Sequence, residues 1–122
     1  MPNKKNILII AKSVISTETD AIAQLHNRLT DDFPEAIQII LSSEGRLIVA
    51  GVGKSANIAN KMVATFNSTG QPSVFLHASD ALHGDLGNIQ KNDVVICISK
   101  SGNTEEIKML VPLVKNLGNK II

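Results

Sequence analysis

The sequence predicts a doubly wound α/β sandwich, a parallel sheet between layers of helices as in flavodoxin-like and Rossmann-type proteins. Short apolar runs, too short for helices, recur at 46–50, 73–76 and 93–98. Segments with a helical spacing of apolar residues separate them, and this alternation builds a parallel sheet with right-handed crossovers. Two of the runs lead directly into glycine-containing turns, which is where such sheets bind ligands.

Residues 1–43 are predicted to form helices that precede the sheet. A long first helix carries one apolar stripe, made of Ile7, Ala11, Val14, Ile22, Leu25 and Leu29. A short second helix begins near Pro34 and ends before Gly45. Because a helix outside the sheet cannot bury both flanks of its stripe, we expect a homodimer or homotetramer.

Residues 44–122 are predicted to form the start of the parallel core. The run Arg46–Ala50 is continuously apolar, as expected of a strand buried on both faces. A helix then runs from about Lys54 to Asn67, with inward side chains expected at Ile58, Met62, Val63 and Phe66. The later predicted elements are a strand at 73–76, a loop with a possible helical turn at 77–87, a strand at 93–98, a helix at 104–117 kinked by Pro112, and a strand opening at Lys120.

Composition limits the classes of function. With 122 residues, 43% of them hydrophobic, the chain suits one domain over 1–122. A net charge of +1 provides no global field for nucleic acid or an anionic membrane. Aromatic residues make up 2% and are all Phe, which removes the stacking platforms of single-strand nucleic-acid binders. Any recognition of an anion must therefore be local.

The lone cysteine and the N-terminal segment bear on location. Cys97 lies in an apolar strand and has no second cysteine to pair with, which fits a small buried side chain in a reducing compartment. Charged residues interrupt the apolar start, so neither a signal peptide nor a membrane span is expected. We therefore expect a cytoplasmic protein.

The first glycine-containing turn, Gly51–Ala56, leaves a predicted strand and opens a helix. A Walker loop would need glycine where Ile48 stands. The dinucleotide pattern G-x-G-x-x-A matches, but the second strand ends Phe75–His77 without the acid that binds a ribose. The turn is thus a weak match to both familiar phosphate loops.

The same turn still offers groups that suit an anion. Gly53 and Ser55 flank the helix start, and the Lys54 ammonium can reach over the helix N-terminus to a phosphate or an enolate. A tight turn with a solvated lysine explains the spacing equally well.

The second turn, Ser99–Thr104, also follows a strand and opens a helix. Its candidate phosphate ligands are Ser99, Ser101, Gly102, Asn103 and Thr104, which would present hydroxyls and backbone N–H groups together with the helix dipole. The alternative is an ordinary helix cap by Ser101 or Asn103. Capping does not require a second serine before the glycine, which favours the anion site, and the site needs no metal.

Several ionisable residues are candidates for acid–base chemistry. Glu105 and Glu106 begin the last helix, where a carboxylate is either a proton-abstracting base or a simple compensation of the dipole. His77, Asp80, His83 and Asp85 share one loop, in which an imidazole can move a proton or bind a sugar hydroxyl. Their spacing is unlike a zinc site, and no metal is expected.

The sequence from about Arg46 onward resembles sugar isomerase (SIS) domains, specifically D-arabinose 5-phosphate isomerases of the KpsF/GutQ type. The Ser-x-Ser-Gly turn is general to SIS domains. The narrower blocks are Gly51–Ser55, Lys61–Gly70, His83–Gly87 and Ser99–Glu106. Three positions depart from the usual pattern, namely Ala56, Lys100 and Asn103.

The resemblance implies about five parallel strands and interconversion of D-ribulose 5-phosphate and D-arabinose 5-phosphate, which supplies Kdo for lipopolysaccharide or capsule. It places Ser55, Ser99, Ser101 and Thr104 at phosphate-binding positions, and Lys54, His83 and Glu106 at catalytic ones. Isomerisation through an enediol needs a base, for which Glu106 is suited, and an electrophile, for which Lys54 or His83 is suited. No redox cofactor is required.

The family's later catalytic glutamate and histidine would lie beyond Ile122, so we expect a segment of a longer protein. Two other functions stay open. One is a non-catalytic sensor that binds a sugar phosphate or a nucleotide-activated sugar such as CMP-Kdo. The other is a nicotinamide-dependent enzyme, on the strength of the G-x-G-x-x-A match.

Overall fold

The structure is a computed structural model that describes residues 3–122. Within this range, five α-helices and four β-strands follow one another as α1 (Lys4–Leu25), α2 (Asp32–Leu41), β1 (Leu47–Gly51), α3 (Lys54–Ser68), β2 (Ser73–His77), α4 (Ala78–Leu82), β3 (Val94–Cys97), α5 (Glu105–Asn116) and β4 (Lys120–Ile121). Two short 3-10 helices lie at His26–Arg28 and Asp85–Asn88. Backbone contacts divide the chain into one compact unit that ends at Glu35 and a second that spans Ala36–Ile122.

The second unit is built on a four-stranded, entirely parallel sheet with the order β2-β1-β3-β4. From β1 the chain crosses to β2 on one side and then returns to β3 on the other side. The direction of winding therefore reverses between β1 and β3, which confirms the predicted doubly wound sheet. The single-domain organisation over 1–122 stays a prediction.

Both faces of β1 are buried, as its continuous apolar sequence predicts. Ile48 and Ala50 belong to a core cluster with residues of α4 and α5. Leu47 and Val49, which point to the opposite face because side chains alternate along a strand, are also fully buried. Helix α3 contacts β1 and β2.

The packing of α3 differs from the expected pattern. Ala56 and Ala59 are the buried residues of this helix, whereas Ile58 is 57% exposed. Met62, Val63 and Phe66 are half-buried. Small alanines one turn apart let the helix backbone approach the strands closely, and this approach turns Ile58 outward. The prediction of Ile58 as an inward residue was therefore wrong.

The amino-terminal end of the sheet contains an ion pair that the sequence analysis did not find. Asp93, 2% exposed, lies just before β3 and accepts hydrogen bonds from the Arg46 guanidinium at 2.7 Å and 3.3 Å. It also accepts from the backbone N–H groups of Arg46 and Gln90. Burial alone would raise the pKa of Asp93, but these donors outweigh it and hold the pKa below its usual value.

The first unit is dominated by α1, whose first turn is capped by the Asn3 side chain accepting from the Lys5 N–H at 2.8 Å. The helix ends at Leu25 and a 3-10 turn follows, so Leu29, the last residue of the predicted stripe, lies outside the helix. No residue of α1 is buried, and Ile10, Ile15 and Ile22 are each 60% or more exposed. Within residues 3–122, no helix combines the length and the apolar character that spanning a bilayer requires.

Candidate functional site

The two predicted phosphate loops leave adjacent strands at the same edge of the sheet. Ala50 of β1 is paired with Cys97 of β3, and the Ile98 N–H donates a 2.9 Å hydrogen bond to the Ala50 carbonyl. The chain turns into the Gly51–Lys54 loop one residue after Ala50 and into the Ser99–Thr104 turn one residue after Ile98. Both loops therefore flank the point where the winding reverses, the usual ligand site of such sheets.

The first loop is shaped by two glycines. A Cβ on Gly51 would lie 2.9 Å from the backbone carbon and oxygen of Ser55, so only glycine lets α3 begin so close to β1. Gly53 has φ 58° and ψ −127°, a conformation that side chains rarely adopt. Helix α3 begins at Lys54 without a side-chain cap. The Ala56 N–H already donates to the Gly53 and Val52 carbonyls at 3.2 Å and 3.4 Å, which leaves the N–H groups of Lys54 and Ser55 to meet an anion. Lys54 is exposed and Ser55 half-buried.

The second loop is organised by hydrogen bonds of its own hydroxyls. Ser99 Oγ accepts from the Gly102 N–H at 3.1 Å and forms a 2.9 Å hydrogen bond with Thr104 Oγ1. Ser101 Oγ accepts from the Asn103 N–H at 3.1 Å. Because an accepting hydroxyl keeps its own proton, Ser101 still has a donor to offer a ligand.

The alternative prediction for this turn, a helix cap formed by Ser101 or Asn103, was wrong about which residue occupies the cap position. Thr104, rather than Ser101 or Asn103, stands at the N-cap position of α5, and it makes no side-chain cap hydrogen bond. Two of the turn's amides, those of Gly102 and Asn103, are already bonded to serine oxygens. The donors left for an anion are therefore hydroxyl protons and the uncapped first-turn amides of α5.

The two carboxylates at the start of α5 differ in their surroundings. Glu105 is exposed and accepts a 2.9 Å hydrogen bond from Lys108 one turn later. Glu106 is half-buried, and its carboxylate makes no hydrogen bond with residues 3–122. Glu105 thus has an ordinary helical ion-pair role, while Glu106 remains free to receive a proton.

The structure places His83 at the C-terminal end of α4, with an exposed side chain. Helix α4 packs against β2 and α5, and its Ala81 shares the core cluster with Ile107 of α5. The His83 block therefore lies on the α5 side of the sheet, and Glu106 lies in the first turn of α5.

His77 is a polar residue that the sequence analysis noted only as one of several loop groups. It ends β2 in register with Gly51, beside the first loop. Its Nδ1 is buried and, among the residues the structure describes, has no hydrogen-bond partner, a state that costs about 1–3 kcal/mol. The nearest carboxylate oxygen, Asp80 Oδ1, is 4.0 Å away. Its position at the carboxyl end of a strand is the sequence signal that could have singled it out.

Other features of the second unit lie away from these loops. A cavity of about 410 Å³ opens at the opposite, amino-terminal edge of the sheet, between the ends of α2 and α5. It contains none of the predicted site residues. Across residues 3–122, no group of three or more His, Cys, Asp or Glu side chains is arranged to hold a metal ion.

Comparison with known proteins matches residues 40–122 to the SIS domain family. The chain is 52% identical over 119 residues to a Haemophilus influenzae protein named "Probable arabinose 5-phosphate isomerase", covering 98% of this chain and 35% of that protein. It is 46% identical over 112 residues to the Pseudomonas aeruginosa arabinose 5-phosphate isomerase KdsD, covering 92% of this chain and 34% of that protein.

A solved structure is similar throughout the chain. The Escherichia coli CFT073 protein c3406, in complex with arabinose 5-phosphate, superposes with a TM-score of 0.93 at 40% identity, covering 98% of this chain and 64% of that one. The chain thus spans about a third of the length of the curated relatives it matches.

Proposed function

The chain belongs to the SIS domain family, and we propose that it forms the sugar-phosphate-binding part of an isomerase that interconverts D-ribulose 5-phosphate and D-arabinose 5-phosphate. The observation that carries the proposal is the pair of uncapped helix N-termini, of α3 and α5, reached from adjacent strands. The similarity to a protein solved with arabinose 5-phosphate supports the choice of ligand. The product would serve Kdo synthesis for lipopolysaccharide or capsule.

The phosphate of the substrate binds at the Ser99–Thr104 turn. Ser99 and Thr104 share one hydrogen bond, so one of their two hydroxyls, together with that of Ser101, donates to the phosphate oxygens. The α5 dipole favours the negative charge of the phosphate. Ser55, at the start of α3, donates from the other loop, and the Gly53, Gly102 and Asn103 backbone shapes both loops. Because the phosphate holds one end of the sugar in place, the C1 and C2 carbons at the other end can reach the acid–base groups.

Glu106 is the base of the proton transfer. Its carboxylate accepts the proton from C2 of the aldose, the C2 electron pair forms the enediol double bond, and the C1 carbonyl oxygen becomes an oxyanion. The Lys54 ammonium or the His83 imidazole stabilises that oxyanion. The oxyanion at O1 takes up the proton that the C2 hydroxyl gives up, and Glu106 returns its own proton to C1, which yields the ketose. The half-buried, unpaired carboxylate of Glu106 supports this role over the paired Glu105.

The test is the isomerisation itself in the intact protein, followed by the anomeric proton signal of arabinose 5-phosphate. We expect turnover that Lys54→Ala lowers by about a hundredfold or more without unfolding the protein. A folded protein that does not interconvert the two sugar phosphates would refute the proposal. Tight calorimetric binding of arabinose 5-phosphate or CMP-Kdo without turnover would assign a sensor instead.

The protein also acts, in this proposal, as a homodimer or homotetramer in the cytoplasm. The exposed isoleucines of α1 support self-association, because a patch of this kind is costly to leave in water. The free thiol of Cys97 is consistent with a reducing compartment. Light scattering of the intact protein that gave a monomeric mass would refute the oligomer.

A further inference from the structure

His77 lies where it can touch a ligand bound between the two loops. It is the last residue of β2 and is paired in register with Gly51, the last residue of β1. The Gly51–Lys54 loop begins at that point, so the imidazole stands beside the first of the two phosphate-suited loops.

The side chain points to the α3 face of the sheet. Val74 and Leu76 of β2 pack into the cluster formed with α4 and α5. Because side chains alternate along a strand, Phe75 and His77 point to the opposite face, which α3 covers. The edge-to-face contact of their rings, with centroids 6.3 Å apart, agrees with a shared face. This is the face on which Lys54 begins α3.

The two ring nitrogens of His77 have different surroundings. Nδ1 is buried and unpartnered in residues 3–122, with Asp80 Oδ1 at 4.0 Å. The side chain as a whole is 34% exposed, so its exposure belongs to the rest of the ring and not to Nδ1. A small rotation of the exposed Asp80 side chain would bring its carboxylate within hydrogen-bond distance of Nδ1. The proton would then sit on Nδ1, and Nε2 would carry a lone pair.

We propose that His77 is a sugar-binding residue, whose Nε2 accepts a hydrogen bond from a hydroxyl of the bound pentose phosphate while Asp80 holds Nδ1. The role rests on the function proposed above. Burial of Nδ1 without a partner is the feature it explains, because the rotation of Asp80 that satisfies Nδ1 also fixes the ring with the Nε2 lone pair free for a sugar hydroxyl. Asp80 is a positioning residue, since it acts only through the imidazole.

The test separates sugar recognition from phosphate recognition by calorimetry on the intact protein, with arabinose 5-phosphate and inorganic phosphate as ligands. His77→Phe keeps a ring and removes both nitrogens. We expect it to weaken binding of arabinose 5-phosphate about tenfold and to leave binding of inorganic phosphate within about twofold. Equal weakening for both ligands, or none for either, would overturn the proposal.

Two further variants identify the nitrogen that matters. His77→Gln places its amide near the position of Nε2, and His77→Asn places it near that of Nδ1. We expect Gln, and not Asn, to restore most of the affinity for arabinose 5-phosphate. Restoration by Asn alone would show that Nδ1 has a structural role and would overturn the sugar contact.

A spectroscopic measurement covers the case in which the variants do not fold. In the unmodified protein, ¹⁵N shifts of the His77 ring should report a proton on Nδ1 and a perturbed Nε2 when arabinose 5-phosphate is added, with no change for inorganic phosphate. An unchanged Nε2 refutes the His77 proposal alone. An unmodified protein that binds phosphate but shows no preference for the sugar phosphate refutes the proposed function and this inference together.

Discussion

The backbone N–H of Ile98 donates a 2.9 Å hydrogen bond to the carbonyl of Ala50, although the two residues are far apart in sequence. This is the last hydrogen bond between β1 and β3, and each strand is followed immediately by its loop. The Gly51–Lys54 loop and the Ser99–Thr104 turn, each an ordinary turn in sequence, therefore lie next to each other and can form one site.

Glu106 and Glu105 form a natural matched pair for testing the base. Glu106→Gln removes the proton acceptor with little change in volume, and we expect kcat to fall about 10²–10⁴-fold with KM nearly unchanged. Glu105→Gln removes only an exposed ion pair with Lys108 and should leave kcat within about threefold. Steady-state kinetics of the two variants decides the matter, and equal losses in both would exclude Glu106 as the base.

The serine turn should depend more on Ser99 than on a serine elsewhere on the surface. Ser99→Ala removes the acceptor of the Gly102 N–H and the partner of Thr104 Oγ1. We expect it to weaken binding of inorganic phosphate about tenfold or more, since it removes one ligand and loosens two others. Ser68→Ala, which removes one exposed hydroxyl on α3, is the control and should bind phosphate normally. Unchanged calorimetric affinity in Ser99→Ala would place the phosphate elsewhere.

Gly51 is expected to be intolerant of any side chain. In Gly51→Ala the new Cβ lies 2.9 Å from the Ser55 backbone, so α3 must shift, at a cost of about 1–3 kcal/mol in the free energy of unfolding. Gly87→Ala is the comparison, because its Cβ would meet no atom within 4 Å. Urea unfolding of both variants measures the difference. Similar stabilities would contradict the close approach of α3 to β1.

Acid should weaken the fold through Asp93. Its pKa is lower in the folded chain than in the unfolded one, so its stabilisation is complete above the unfolded pKa of about 4 and is lost as pH falls through the folded value. Asp93→Asn should lose about 2–4 kcal/mol at neutral pH, because the Arg46 guanidinium and two backbone N–H groups lose a charged acceptor. Its unfolding free energy should also fall less steeply below pH 4 than that of the unmodified protein. Parallel pH profiles from urea unfolding would argue against this ion pair.

The thiol of Cys97 should react slowly in the native protein. Burial raises the pKa of Cys97 to about 11, so very little thiolate, the reactive form, exists at pH 8. We expect alkylation by iodoacetamide at that pH to be slow until urea unfolds the chain, as followed by mass spectrometry. Rapid alkylation of the native protein would show that this end of β3 is open to solvent.

Patterns local to the chain were enough to predict most of the fold. The continuous apolar run at 46–50 predicted the strand that the structure has at Leu47–Gly51, buried on both faces, and the alternation of strands and helices predicted the parallel, doubly wound sheet. One error concerns side-chain direction. Ile58 was expected inside because it is large and apolar, but the close approach of α3 is made by Ala56 and Ala59, and periodicity alone does not distinguish neighbouring positions on one helix.

The sequence by itself determined the strand–helix order and the two glycine-containing turns that are candidates for binding a phosphate, because these depend on interactions between residues near one another in the chain. Only the tertiary structure decided that the Ile98 and Ala50 ends meet, that Asp93 pairs with Arg46, and that His77 stands beside Gly51. These contacts join residues up to 48 positions apart, as between Ala50 and Ile98. Strand order and register set such pairs, and no local pattern of residues carries that information.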